Sequence, residues 1–253
     1  MANNNNGEVE VKRTSYSMID LGNLPDDELR ETNLLTVYNG GPILENQPLS
    51  QRIGVCANLK RLHVMNCSSI PPEISNCPML SHLILSSSDR NDDDCRIELP
   101  EGIILRNLTT VCIGGGGNWN TGGIITWLAT CSPKLTNLLF DELTIDTAHQ
   151  FMTELQNNEA FIEKFEYTLL GITFNNCSLN EDDALMIYAI IKPLYPRLGV
   201  IDLQNNTIES IETIGRAVRE TPPANNNPLR ICLCCFFLNG NPFVRNLNDP
   251  DSP

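Results

Sequence analysis

Leu169-Leu-Gly-Ile172-Thr-Phe174-Asn-Asn-Cys177-Ser-Leu179 is followed 29 residues later by Leu198-Gly-Val-Ile201-Asp-Leu203-Gln-Asn-Asn206-Thr-Ile208. The apolar residues fall at the same places in both stretches, and Cys or Asn holds the ninth position. A third copy runs through Leu233, Phe236, Leu238, Asn241 and Phe243. Less complete copies begin at Leu59 (Leu62, Val64, Cys67, Ile70), Leu80 (Leu83, Leu85), Leu108 (Val111, Ile113) and Leu135 (Leu138, Phe140, Leu143), with a weak one at Thr32 (Leu35, Val37). Successive starts lie 27, 21, 28, 27, 34, 29 and 35 residues apart. Such a period marks stacked units, none of which can bury its apolar face alone.

The residue types follow from geometry. Two apolar residues separated by one position point to the same side of a strand, so each copy predicts a short strand with both chains inward. An Asn at the ninth position, where the chain leaves the strand, can bond the bare backbone groups of the turn. A buried amide is tolerated only if those bonds are made. Cys offers a small apolar body with a weak S–H donor. Between strands, Ile124, Trp127, Leu128 and Cys131 have the spacing of one helix face, as do Ala148, Phe151, Met152 and Leu155. Ser178-x-x-Glu181 predicts a capping box before a helix over Ala184 to Ile191. Ile208, Ile211, Ile214 and Val218 form another stripe, closed by Pro222 and Pro223. The earlier connections, Ile70-Pro-Pro-Glu-Ile74 and Leu99-Pro-Glu-Gly-Ile103, predict extended or single-turn segments.

From about Leu59 to Phe243 the chain resembles a leucine-rich-repeat protein. Its second half is similar to the ribonuclease-inhibitor-like subclass, and Cys77-Pro-Met-Leu80 and Cys131-Ser-Pro-Lys-Leu135 resemble the cysteine-containing repeats of substrate adaptors. The resemblance implies an α/β solenoid: a curved parallel sheet on the concave side, with helices and irregular segments on the convex side. Residues 32–245 would form this domain, preceded by a polar, mobile segment 1–31 and followed by a disordered tail 246–253. Gly116 and Ser88 depart from the ninth-position pattern, and polar insertions interrupt it at Ser86 to Glu98 and Pro222 to Pro228.

Seven such strands, spaced ~4.8 Å apart, span roughly 30–35 Å. The residues left facing outward are His63, Met65, His82, Ile84, Cys112, Leu139, Asp141, Thr173, Asn175, Asp202 and Gln204. The strip is apolar in its middle and acidic and amide-rich later. The function expected is that of a non-catalytic scaffold or adaptor, a monomer capturing a partner protein on this concave face without cofactor or metal.

Composition narrows the alternatives. Asp and Glu total 31 against 17 Lys and Arg, a formal charge of -14, which disfavours phosphate backbones and anionic lipid. The longest apolar run, Ala184 to Ile191, is far short of the ~20 residues that cross a bilayer. No apolar leader precedes the repeats. With ten cysteines, several at repeated motif positions, this points to a reducing, cytoplasmic setting. The sequons at Asn66, Asn107, Asn176 and Asn205 are therefore read as chance in an Asn-rich chain.

Signs of chemistry are few. Of the three histidines, His63 and His82 fall on adjacent strands, the basis of an alternative hydrolase reading, while His149 stands apart. Gly114 to Gly117, with Gly122 and Gly123, lacks the lysine of a phosphate loop and predicts a turn between a strand ending at Ile113 and the next helix. Asp89-x-Asn91-x-Asp93 opens like a calcium loop but has Asp94 and Pro100 where Gly and Glu are required. Cys232, Cys234 and Cys235 lack a fourth ligand for zinc. Glu181 to Asp183 suits a helix N-terminus. Leu24-Pro-Asp-Asp-Glu-Leu29 resembles the opening of an F-box, which implies a second alternative, a ubiquitin-ligase substrate adaptor, though Arg30-Glu-Thr-Asn33 replaces the expected apolar helix. Ile19, Leu21, Leu24 and Leu29 could also cap the end of the stack.

Overall fold

Nine short strands form, most of which alternate buried and outward residues. In the computed structural model, which describes residues 13–38, 48–87, 97–117, 119–210, 212 and 235–242, these are β1 (Arg13–Ser17), β2 (Leu34–Tyr38), β3 (Arg61–Met65), β4 (His82–Ser87), β5 (Thr110–Gly115), β6 (Asn137–Asp141), β7 (Gly171–Asn175), β8 (Val200–Asp202) and β9 (Cys235–Phe237). They form one sheet in chain order, and every neighbouring pair is parallel. A parallel neighbour requires the chain to cross back over one face of the sheet each time, so helices and turns collect in a second layer. The register is one to one: Leu62, Leu83, Val111, Leu138, Ile172 and Ile201 lie side by side. Each of these is fully buried, as are Val64, Leu85, Ile113, Phe140 and Phe174 two places on.

Return elements differ between the early and late copies. Between β3 and β4 the return holds the 3-10 turn Pro72–Asn76, matching the single-turn expectation, and another such turn spans Gln51–Val55 between β2 and β3. The later returns hold helices: α3 (Thr121–Cys131) after β5, α4 (Ile145–Asn157) and α5 (Glu159–Phe165) after β6, and α6 (Glu181–Met186) and α7 (Lys192–Leu194) after β7. Both expected helix faces point into the core. Ile124, Trp127, Leu128 and Cys131 are buried, and Ala148, Phe151, Met152 and Leu155 are fully so. Between α6 and α7 a π-turn, Ile187–Ile191, precedes Pro193. Proline has no N–H and crowds the carbonyl four residues back, and the widened turn absorbs that misfit. Leu59, Leu80 and Leu198 each donate their N–H to a carbonyl at the end of the preceding return segment, on Cys56, Cys77 and Tyr195. The opening leucine is thereby tied to the element that delivers it.

Aromatic packing joins the sheet to the helices behind it and ties neighbouring strands together. The Phe140 ring lies 4.5 Å from Phe151 and 4.6 Å from Phe174. Tyr195 meets Phe161 edge-on and donates its hydroxyl to the Leu155 carbonyl at 2.7 Å.

At the ninth position the amides are fully used. Asn206 accepts from the N–H groups of Cys177 and Leu179 and donates to the carbonyls of Phe174 and Leu203. Asn241 accepts from Ile208 N–H and donates to the carbonyls of Leu203 and Leu238. Cys67 and Cys177 instead donate their thiols to Ser69 and Asn175 carbonyls.

Four local readings change. The capping box before α6 is formed by Asn180 with Asp183, two residues after the expected Ser178, because Ser178 itself has a left-handed φ of 59°. The strand β5 runs on to Gly115 rather than ending at Ile113: a Cβ on Gly115 would stand 1.7 Å from the Ser87 carbonyl oxygen, so the missing side chain lets the backbones meet. The residue just before the ninth position is left-handed at Asn66, Gly115, Glu142, Asn176, Asn205 and Gly240. Asn and Gly are the residues that adopt this conformation most readily, which accounts for three of the four sequons on conformational grounds. Finally, residues 13–31, which carry no expected strand, form β1, α1 (Met18–Asn23) and α2 (Asp26–Glu31), with Leu21 and Leu29 fully buried. The expectations for Asp89 to Asp93, Ile211, Ile214, Val218, Pro222 to Pro228, Cys232, Cys234, Phe243 and the tail 246–253 lie outside the described residues.

Candidate interaction face

Because every strand pairs in register, the outward residues form columns across the sheet. The middle column reads Ser15, Thr36, His63, Ile84, Cys112, Leu139, Thr173, Asp202 and Phe237. Met65, Asp141 and Asn175 belong to the column two residues on, with Tyr38, Ser86 and Gly114. Gln204 follows β8 and folds back, its backbone and side-chain N–H groups donating to the two Asp202 carboxylate oxygens. His82 lies in the first column, opposite Arg61 and Thr110. All of these expected site residues are half-buried, save the exposed His82, whereas their inward neighbours are buried.

The two halves of this face differ in charge. Toward β1 to β4, Leu34, Thr36, Arg61, His63 and Ile84 line a depression of about 310 Å³. Among the described residues no carboxylate lies within ion-pair distance of Arg61. Toward β6 to β8 the side chains form a directed chain of bonds. Asn205 donates to Asn175 at 2.8 Å, and Asn175 donates to Asp141 at 2.6 Å. Asp202 stands in the next strand but one from Asp141, and among the described residues neither carboxylate has a cation within ion-pair distance.

His63 and His82 are on adjacent strands but are not opposite one another. His63 faces Ile84, and His82 faces Arg61. Each ring bonds a serine instead: His63 Nε2 lies 2.8 Å from Ser86 Oγ, and His82 Nδ1 lies 2.9 Å from Ser81 Oγ. Burial, and secondarily the Arg61 charge, hold both imidazoles below their ordinary pKa. Among the described residues no carboxylate orients either ring. His149, by contrast, bonds Asp183 Oδ1 at 2.7 Å and ties α4 to α6, away from the face.

Cysteine chemistry is muted. Burial, and next the Asp141 carboxylate, push the Cys112 thiol up to about 11. Burial likewise lifts Cys67 to about 11 and Cys77, Cys131 and Cys177 to about 12. A thiol that stays protonated is a poor nucleophile and metal ligand. Among the described residues no three His, Cys, Asp or Glu side chains group as a metal site, and no helix is long and apolar enough to cross a membrane. Glu181 serves structure rather than the face: burial opposes its ionisation, but the N–H groups of Glu181, Glu209 and Ser210 outweigh this and lower its pKa.

The F-box-like stretch folds as α2, with Leu29 inside the core and Leu24 partly buried against it. Sequence reasoning overlooked Arg61, the central charge of the β1 to β4 half. The signal was present in the alternation, since the residue before each first inward apolar residue also points outward, but only His82 was taken from that column. No protein-family model and no curated protein matches the chain.

Proposed function

We propose that the chain is a leucine-rich-repeat solenoid that acts as a non-catalytic scaffold, capturing a partner protein on the outward face of its parallel sheet. The observation that carries this reading is the continuous, in-register array of half-exposed side chains from β2 to β8. Nine strands ~4.8 Å apart and roughly 17 Å long offer about 650 Å² of projected surface, close to the ~800 Å² per partner of a standard interface. The side chains on it are of the mixed kind that binding uses: Ile84, Cys112 and Leu139 can be desolvated at the centre, while Arg61, Asp141 and Asp202 can discriminate at the sides. Among the described residues His63 and His82 each bond a serine and no carboxylate, which favours recognition over hydrolysis, since hydrolysis needs a base held by a third group.

The test uses the full chain to capture proteins, which are identified, purified and titrated. The double variant Leu139→Glu, Asp141→Ala should weaken binding at least tenfold, about 1.4 kcal/mol, with an unchanged melting temperature. Glu163→Lys, at an exposed position of α5, serves as the control and should bind normally. A folded double variant that binds with unaltered affinity refutes the proposal.

A further inference from the structure

We infer that the sheet face is polarised, and that it takes one extended segment of the partner laid across the strands, with acidic side chains over Arg61 and basic ones over Asp141 and Asp202. The inference rests on the face being the binding surface, and adds the chemistry and direction of what binds.

Three observations carry it. First, in a chain of net charge -14, Arg61 is the one Arg or Lys whose side chain is described at an outward strand position, and no carboxylate among the described residues neutralises it. It stands at a depression of about 310 Å³, room for a carboxylate and its stem, with Thr36 and His63 as further hydrogen-bonding groups. Second, Asp141 and Asp202 accept hydrogen bonds from the neutral amides of Asn175 and Gln204, so both are held in place by donors that bring no opposite charge. A partner that covered these carboxylates, or Arg61, without an opposite charge would bury an uncompensated ion at considerable cost. Opposite charges at both sites avoid that cost and exclude the reversed orientation. Third, the spacing suits a peptide. From β3 to β8 is five strand steps, ~24 Å, which an extended chain at ~3.3 Å per residue covers in about seven residues. Between the charges lie Ile84, Cys112 and Leu139, which fit one or two apolar side chains.

The experiment selects a displayed random peptide library, about twelve residues long so as to exceed the ~24 Å span, against the full chain, and titrates the enriched peptides. Expected sequences carry Asp or Glu separated by about seven residues from Lys or Arg, with apolar residues between. Arg61→Glu should weaken a selected peptide about tenfold or more, and replacing that peptide's acidic residues with Lys should restore its binding to the variant. The charge exchange is a readout that mere loss of structure could not produce. Peptides that compete at the Leu139/Asp141 surface but show no charge order overturn the polarity and leave the binding face standing. If no enriched peptide is sensitive to the Leu139→Glu, Asp141→Ala variant, both readings fall together.

Discussion

Replacing Asn206 with alanine tests whether the ninth-position amide holds the turn together. Its side chain, 4% exposed, is the acceptor for two backbone N–H groups, those of Cys177 at 2.9 Å and Leu179 at 3.1 Å. It also donates to the Phe174 and Leu203 carbonyls, but Leu203 keeps a second donor in Asn241. The cost therefore comes mainly from two orphaned N–H groups at ~1–3 kcal/mol each, about 4 kcal/mol together. For a domain of this size that corresponds to a fall in Tm of about 8–16 °C. Asn176 supplies the comparison: it is exposed, and its contribution is a left-handed φ of 52°, so Asn176→Ala should cost only about 1 kcal/mol. Urea denaturation followed by circular dichroism, with the slope checked for constancy, measures both. A loss below about 1 kcal/mol for Asn206→Ala at unchanged slope would show that the amide is dispensable, and the account of the turn would be wrong.

Gly115→Ala should destabilise by more than about 2 kcal/mol, since the added Cβ meets the Ser87 carbonyl oxygen and a φ of 86° is strained for alanine; a melting curve equal to wild type would rule this out. Acid should weaken the fold early. His63 and His82 have folded pKa values below 6.5, so the unfolded chain binds those protons more tightly, and the stability present above pH ~6.5 declines as pH falls through it. The double variant His63→Gln, His82→Gln should lose less Tm between about pH 7.5 and 5.5 than wild type does. Native Cys67, Cys77, Cys131 and Cys177 should resist iodoacetamide near pH ~7.5 and react only on unfolding, read by mass spectrometry, because burial keeps each thiol protonated.

The layer architecture was legible because alternation is a local property. Leu138 and Phe140, or Ile172 and Phe174, declare two inward positions whatever surrounds them, and the recurrence of such pairs every 21 to 35 residues predicts parallel stacking. Helix faces were legible for the same reason, as at Phe151, Met152 and Leu155. Misreadings fell where a neighbour decides. The extension of β5 to Gly115 depends on Ser87 from the adjoining strand, and the shift of the α6 cap to Asn180 depends on the left-handed backbone at Ser178. The strand β1 was invisible because Thr14 and Tyr16 are not aliphatic, yet pairing with Leu34 to Tyr38 makes it a strand. Arg61 was missed because, although the alternation marks its position as outward, nothing local distinguishes an arginine on a shared face from a merely solvated one.

The periodic placement of apolar residues determined which side chains enter the core and where the later return segments carry helices, since burying those faces outweighs everything else the chain can do. Only the tertiary structure decided which outward residues become neighbours. Register set His63 opposite Ile84 and His82 opposite Arg61, and it separated Arg61 from Asp141 and Asp202. Residues that are distant in sequence acquire a common surface only when backbone hydrogen bonds fix one strand against the next.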